Sequence, residues 1–150
     1  MSRDSKFIEL AIIEANKAKD MGEVPVGAVI TLQDKVLSTG HNLVINNNDP
    51  TAHAEIIAIR NATSLINNYR TDKLSLYVTL EPCAMCYGAI VHARISRLIF
   101  GAYDSKTGVC GSSIKLNKQA CFNHRPEVIG GILEKDCSLL LKDFFKDKRN

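Results

Sequence analysis

The stretch Glu81-Pro82-Cys83-Ala84-Met85-Cys86 decides how this chain is read. It places two thiols in a C-x-x-C between a run that reads as a buried strand, Leu76 to Leu80, and a run that reads as a helix, Ala84 to Val91. Pro82 suits the first turn of that helix, where a missing N–H costs nothing. Cys83 and Cys86 then project from one helix end on one face. The partial positive charge of a helix N-terminus favours thiolate over thiol. Two thiolates at a strand-to-helix junction are half of a zinc site.

The other half lies upstream, at Thr51-Ala52-His53-Ala54-Glu55. Asp49, Pro50 and Thr51 are helix-start signals. Residues Ala52 to Ile66 carry apolar side chains at helical spacing: Ile56, Ile59, Ala62 or Thr63, and Ile66. His53 is therefore expected in the first turn of a second helix. Two helix starts converging on one ion supply His53, Cys83 and Cys86, and three protein ligands leave one tetrahedral position open for water. Glu55 is placed to take a proton from that water. The pattern H-x-E…P-C-x-x-C is the signature of zinc nucleobase deaminases. Two other readings compete. A lone C-x-x-C can be a redox pair. A structural zinc site would need a fourth ligand, for which His41, His92, His124, Cys110, Cys121 and Cys137 are candidates by spacing.

The chain has 150 residues, 45% hydrophobic and 23% charged, which suits one folded domain spanning 1–150. No apolar run is long enough to cross a bilayer, so no membrane association is expected. The first residues lack a secretory pattern. Five cysteines without an extracellular framework spacing point to a reducing, cytoplasmic setting. A net charge of +3 is compatible with nucleic acid without being diagnostic of it.

Along the chain, Phe7 to Met21 reads as a helix with Phe7, Leu10, Ala11, Ile13 or Glu14, Ala15 and Ala18 inward. Val24 to Ile30 and Val36 to Gly40 read as a hairpin turning at Gln33-Asp34. Arg97 to Gly101 reads as a strand parallel to Leu76–Leu80. Tyr103 to Ser113 reads as a loop, Ile114 to Ala120 as a short helix, and Glu127 to Gly130 as an edge strand. The terminal helix is expected over Leu133 to Lys146, with Leu133, Cys137, Leu140, Leu141 and Phe144 inward. The expected architecture is a three-layer α/β/α sandwich on one mixed five-stranded sheet.

These residues resemble the cytidine deaminase-like superfamily, and within it the bacterial tRNA-specific adenosine deaminases. The resemblance runs through Glu23 to Ala28, His41-Asn42, Asp49 to Glu55, Leu76 to Cys86, His92 to Ile95, Phe100 to Gly108, Phe122 to Arg125, and Asp143 to Phe145. It implies a zinc-dependent homodimer, one Zn2+ per subunit, that converts the wobble adenosine of a tRNA anticodon to inosine. An arginine tRNA with a wobble adenosine is the first substrate to test. The zinc motif alone is shared with deaminases of free guanine, cytosine or nucleotides, which remain the alternative.

Within that resemblance, Glu55 is expected to accept the water proton and to protonate N1 of the ring and the departing amine. Asn42, whose amide both donates and accepts, is expected to read the base edge. Ala54 offers a backbone N–H without bulk. The resemblance makes Asp104, Asn123, His124 and Phe145 residues that shape an anticodon-loop groove. Arg70, Lys106, Arg125, Lys146 and Arg149 are candidates for phosphate contacts. The resemblance departs at Tyr87, where a small residue is usual, and in the short basic tail ending at Lys148-Arg149-Asn150.

Overall fold

The structure is a computed structural model that describes residues 1–68 and 72–149, with the backbone alone at Arg149. Arg70, one of the expected phosphate contacts, lies outside the described residues, as does the side chain of Arg149.

The first helix, α1 (Arg3–Asp20), begins a turn earlier than its apolar pattern predicts, because Ser2 caps it by accepting the Ser5 N–H at 3.1 Å. The strands are β1 (Gly27–Leu32), β2 (Lys35–His41), β3 (Leu74–Leu80), β4 (Arg97–Ala102) and β5 (Glu127–Ile129). Helix α2 (Ala54–Ile66) follows β2, α3 (Ala84–His92) follows β3, and α4 (Glu134–Arg149) closes the chain. The sheet order is β2-β1-β3-β4-β5. β1 is antiparallel to β2 and β3, whereas β3, β4 and β5 run parallel. The expected mixed five-stranded sheet is therefore present. The β1–β2 turn is Gln33-Asp34, both with positive φ (53° and 60°), which matches the twist of the two strands it joins.

Two apolar layers flank the sheet. On one side Phe7, Ile8 and Ala11 of α1 and Cys137 of α4 pack against Val29, Tyr77 and Ile99. On the other, Ala54, Ala58 and Ala62 of α2 and Tyr87 and Ile90 of α3 pack against Ile30, Leu76, Val78 and Phe100. No helix among the described residues is long and apolar enough to cross a membrane.

Several expected details are corrected. Val24 to Val26 precede β1 rather than starting it, so Pro25 stands outside the ladder. The Ile114–Ala120 helix is a single 3-10 turn, Leu116–Lys118. On α1, Glu14 is the buried residue and Ile13 is 54% exposed. Glu14 is tolerated there because Lys17 and His41 reach its carboxylate. On α2, the isoleucines at helical spacing are only half-buried and the alanines face the core. The reason is close approach: a Cβ at Gly40 of β2 would lie 2.6 Å from Ala54 O and Ala58 N. Helix and strand meet backbone to backbone, and only small residues fit between them.

Candidate active site

The functional residues gather at one end of the sheet, beyond the carboxyl ends of β2, β3 and β4. Antiparallel β1 begins at this same end, since Gly27 pairs with His41 and Ala28 with Val78. A crevice beyond strand carboxyl ends is where α/β sheets commonly hold ligands. Helices α2 and α3 also start here.

His53 is the N-cap of α2 and Cys83 the N-cap of α3, each in extended backbone. Both stand one position earlier than the first turn in which His53 was expected, and Pro82 precedes the cap rather than opening the helix. An N-cap side chain ordinarily accepts a hydrogen bond from its own helix. Neither does so here. Instead His53 Nδ1 lies 3.7 Å from Cys83 Sγ and 3.5 Å from Cys86 Sγ. Zinc bonds of ~2.3 Å to sulfur and ~2.0–2.1 Å to nitrogen give a tetrahedral S···N edge of about 3.6 Å. The three ligand atoms thus already stand at the spacing of zinc ligands, within 4.8 Å of one another. Among the described residues none of the proposed fourth ligands joins this group. An imidazole and two thiols form a donor set for zinc, and zinc is the cofactor.

The electrostatics agree with a cation between two helix starts. Without metal, the hydrogen bond from Cys86 pulls the Cys83 thiol down to about 4, with the His53 bond acting the same way. Sharing that proton with Cys83, together with burial, pushes Cys86 up. The contact with Cys83 also raises the His53 imidazole. A bound cation takes the place of the shared protons and holds both sulfurs as thiolates.

Glu55, on the first turn of α2, is 4% exposed. Burial pushes its carboxyl up to about 7. It lines a cavity of about 210 Å³ together with His53, Cys83, Asn42, Ala54 and Asp104. The structure therefore brings six of the sequence-predicted residues to one cavity, with Cys86 buried behind them. Asn42 is half committed: its Nδ2 donates to Val24 O at 3.3 Å and its Oδ1 accepts Val44 N–H at 3.2 Å. One N–H and one lone pair of the amide remain for a ligand.

The remaining predicted residues stand away from the cavity lining. Lys106, Asn123, Arg125 and Lys146 are exposed. His124 Nε2 is engaged by Ile95 O at 2.6 Å, which ties the 122–125 loop to the segment after α3. Phe145 is 48% exposed and meets Phe144 edge-on. The sequence reading missed Val24, Val26, Leu80, Glu81 and Thr107, which also line the cavity. It also passed over the burial of Glu23 and Glu81. A signal was present in each case: a single acidic residue next to apolar neighbours and a proline.

The cytidine and deoxycytidylate deaminase zinc-binding region matches residues 1–102 of this chain. A tRNA-specific adenosine deaminase of Haemophilus influenzae is 49% identical over 147 residues, 97% of this chain and 85% of that protein. A structure from studies of A-to-I editing by tRNA:A34 deaminases at the wobble position of transfer RNA is 43% identical. It superposes with a TM-score of 0.88 over 91% of this chain and 99% of its own. A guanine deaminase of Bacillus subtilis is 39% identical with a TM-score of 0.63, over 65% of this chain and 63% of its own. With a zinc donor set and a buried glutamate at the matching motif, this chain belongs to the cytidine and deoxycytidylate deaminase zinc-binding family, and within it to the tRNA-specific adenosine deaminases.

Proposed function

We propose that the protein hydrolyses the wobble adenosine of a tRNA anticodon to inosine, releasing ammonia, with an arginine tRNA as substrate and a homodimer as the working form. The observation that carries the reading is the buried Glu55 carboxyl lining one cavity with His53 and Cys83, whose ligand atoms cluster with that of Cys86. Full-length similarity to tRNA-specific adenosine deaminases supports the choice of substrate.

His53, Cys83 and Cys86 hold the zinc. When bound, it supplies a Lewis acid that lowers the pKa of water from ~15.7 toward ~7. Glu55 takes the proton from the attacking water as its oxygen bonds to C6 of the purine. The carboxyl passes that proton to N1, then takes the second from the new C6 hydroxyl and gives it to the exocyclic amine, so that C6=O forms, the C–N bond breaks and ammonia leaves. A single group can serve all four transfers because N1, the incoming oxygen and the exocyclic nitrogen are all bonded to C6. The free half of the Asn42 amide orients the base, and the backbone N–H of Ala54 faces it. A looped-out anticodon base is already unpaired, so its entry costs less than extrusion from a duplex. Phe145 and the basic residues Lys106, Arg125 and Lys146 grip the surrounding loop by stacking and phosphate contact.

The test is incubation of the purified protein with an arginine-tRNA anticodon stem-loop carrying a wobble adenosine, with inosine and ammonia measured. Inosine should form there and not from free adenine, adenosine, guanine or cytosine. Deamination of free guanine with none of the stem-loop would move the assignment to the free-base deaminases.

A further inference from the structure

Glu81 lies between the end of β3 and the Pro82-Cys83 turn that presents a zinc ligand, and its side chain is 2% exposed. A buried carboxylate is costly unless its lone pairs are satisfied. Here one loop satisfies them. Oε1 accepts the Asp104 N–H at 3.0 Å and the Ser112 hydroxyl. Oε2 accepts the Cys110 N–H at 2.9 Å and the Ser112 N–H at 3.2 Å. The Val109 N–H donates to Pro82 O at 3.0 Å. Gly108 makes the approach possible, since a Cβ there would run into the Glu81 carboxyl and lie 2.6 Å from Asp104 O. The segment after β4 is folded around this carboxylate.

The order continues outward from Asp104. Its own carboxylate accepts Lys106 N–H at 3.0 Å, Thr107 N–H at 3.1 Å and the Thr107 hydroxyl at 2.8 Å. Asp104 and Thr107 both line the cavity. We infer that Glu81 is a positioning residue: it holds the Asp104–Thr107 wall against the Cys83 turn and so sets the fit of the bound base. The inference rests on the deaminase reading of this cavity. Its physical basis is preorganisation, because an irregular loop ordered before binding loses less conformational freedom when the substrate arrives.

The decisive variant is Glu81→Gln. A glutamine can keep its carbonyl oxygen on the Cys110 and Ser112 N–H groups. Its amide nitrogen then replaces Oε1, where the Ser112 hydroxyl can turn to accept but the Asp104 N–H meets another donor. The substitution therefore releases Asp104 in particular. Zinc content should stay at one per chain, and amide exchange at Asp104 and Thr107 should quicken in the absence of substrate. KM for the stem-loop should rise about tenfold, with kcat changed less. Ser112→Ala should shift KM and exchange in the same direction by a smaller factor. Wild-type KM and exchange in Glu81→Gln would overturn the inference. So would a loss confined to kcat or one that follows zinc loss. Should Glu81→Gln fail to fold, Ser112→Ala decides, and an unchanged KM and exchange overturns it. Wild-type protein inactive on the stem-loop would overturn the deaminase reading instead, and exchange at Asp104 would still decide the role of Glu81.

Discussion

The carboxylate of Glu23 accepts two hydrogen bonds from one residue, Asn46, through its backbone N–H and its side-chain amide, each at 2.7 Å. The Ile45 N–H adds a third at 3.1 Å. The loop after β2, which begins at Asn42, is thereby tied to the segment before β1. Glu23→Gln should destabilise the fold by ~1–3 kcal/mol, since a buried donor is left facing a donor.

The Glu23 variant also carries a pH signature. Burial alone would raise this carboxyl, but the bonds from Asn46 and Ile45 outweigh it and hold it below its ordinary 4.5. A carboxyl with a lowered folded pKa contributes fully above its unfolded value and loses that contribution as pH falls through the folded one. The stability gap between wild type and Glu23→Gln should therefore be constant near neutrality and shrink below about pH 4.5. Urea unfolding at neutral and acidic pH measures it, and a gap that widened in acid would contradict the assignment.

Metal removal should cost fold stability as well as activity. The ligands stand at the N-caps of two helices and in the first turn of α3, so a bound zinc would join α2 to α3 and its binding free energy would be coupled to folding. Calorimetry should show the chelated wild type and Cys86→Ala melting at a similar, lower temperature than the zinc-loaded protein. Equal melting temperatures with and without zinc would argue against this coupling.

Glu55→Ala should separate chemistry from binding. Zinc content and stem-loop affinity should persist, while kcat falls by at least ~10²–10⁴-fold, the usual contribution of a positioned proton carrier. Single-turnover kinetics with metal analysis checks both halves, and near-normal turnover would remove Glu55 from the mechanism.

Phe145→Ala tests the RNA surface. Phe145 is half exposed beside Phe144, with ring centroids 5.4 Å apart, so its loss should hardly change melting. Stem-loop affinity should fall by ~1–3 kcal/mol if the ring stacks on a base. Wild-type affinity itself should weaken as salt rises, through counterion release. Titration of a labelled stem-loop at several salt concentrations reads both.

Gly40→Ala should act at a distance. The added carbon would press on the backbone of α2 at Ala54 and Ala58, immediately after His53. A loss of ~1–3 kcal/mol from overpacking, together with weaker zinc retention, is expected from thermal melts and metal analysis. Unchanged zinc retention would mean that α2 yields without moving its N-cap.

The candidate site was legible in the sequence because a zinc donor set depends on residue types at short spacing. His53 and Glu55 two apart, and Cys83 and Cys86 three apart after a proline, declare a metal site before any fold is known. The strands were legible because apolar runs such as Leu76 to Leu80 and Arg97 to Gly101 end at clear signals. Tertiary structure decided what long-range contact decides. It put alanines rather than isoleucines on the inner face of α2, because Gly40 draws strand and helix together. It buried Glu14, Glu23 and Glu81, which by type belong on a surface, because partners up to 31 residues away supply a lysine cation and N–H donors. It committed half of the Asn42 amide to Val24 and Val44, and one nitrogen of His124 to Ile95. Periodicity reports which face of an element is apolar. Which carboxylate can leave water depends on donors that only the folded chain assembles.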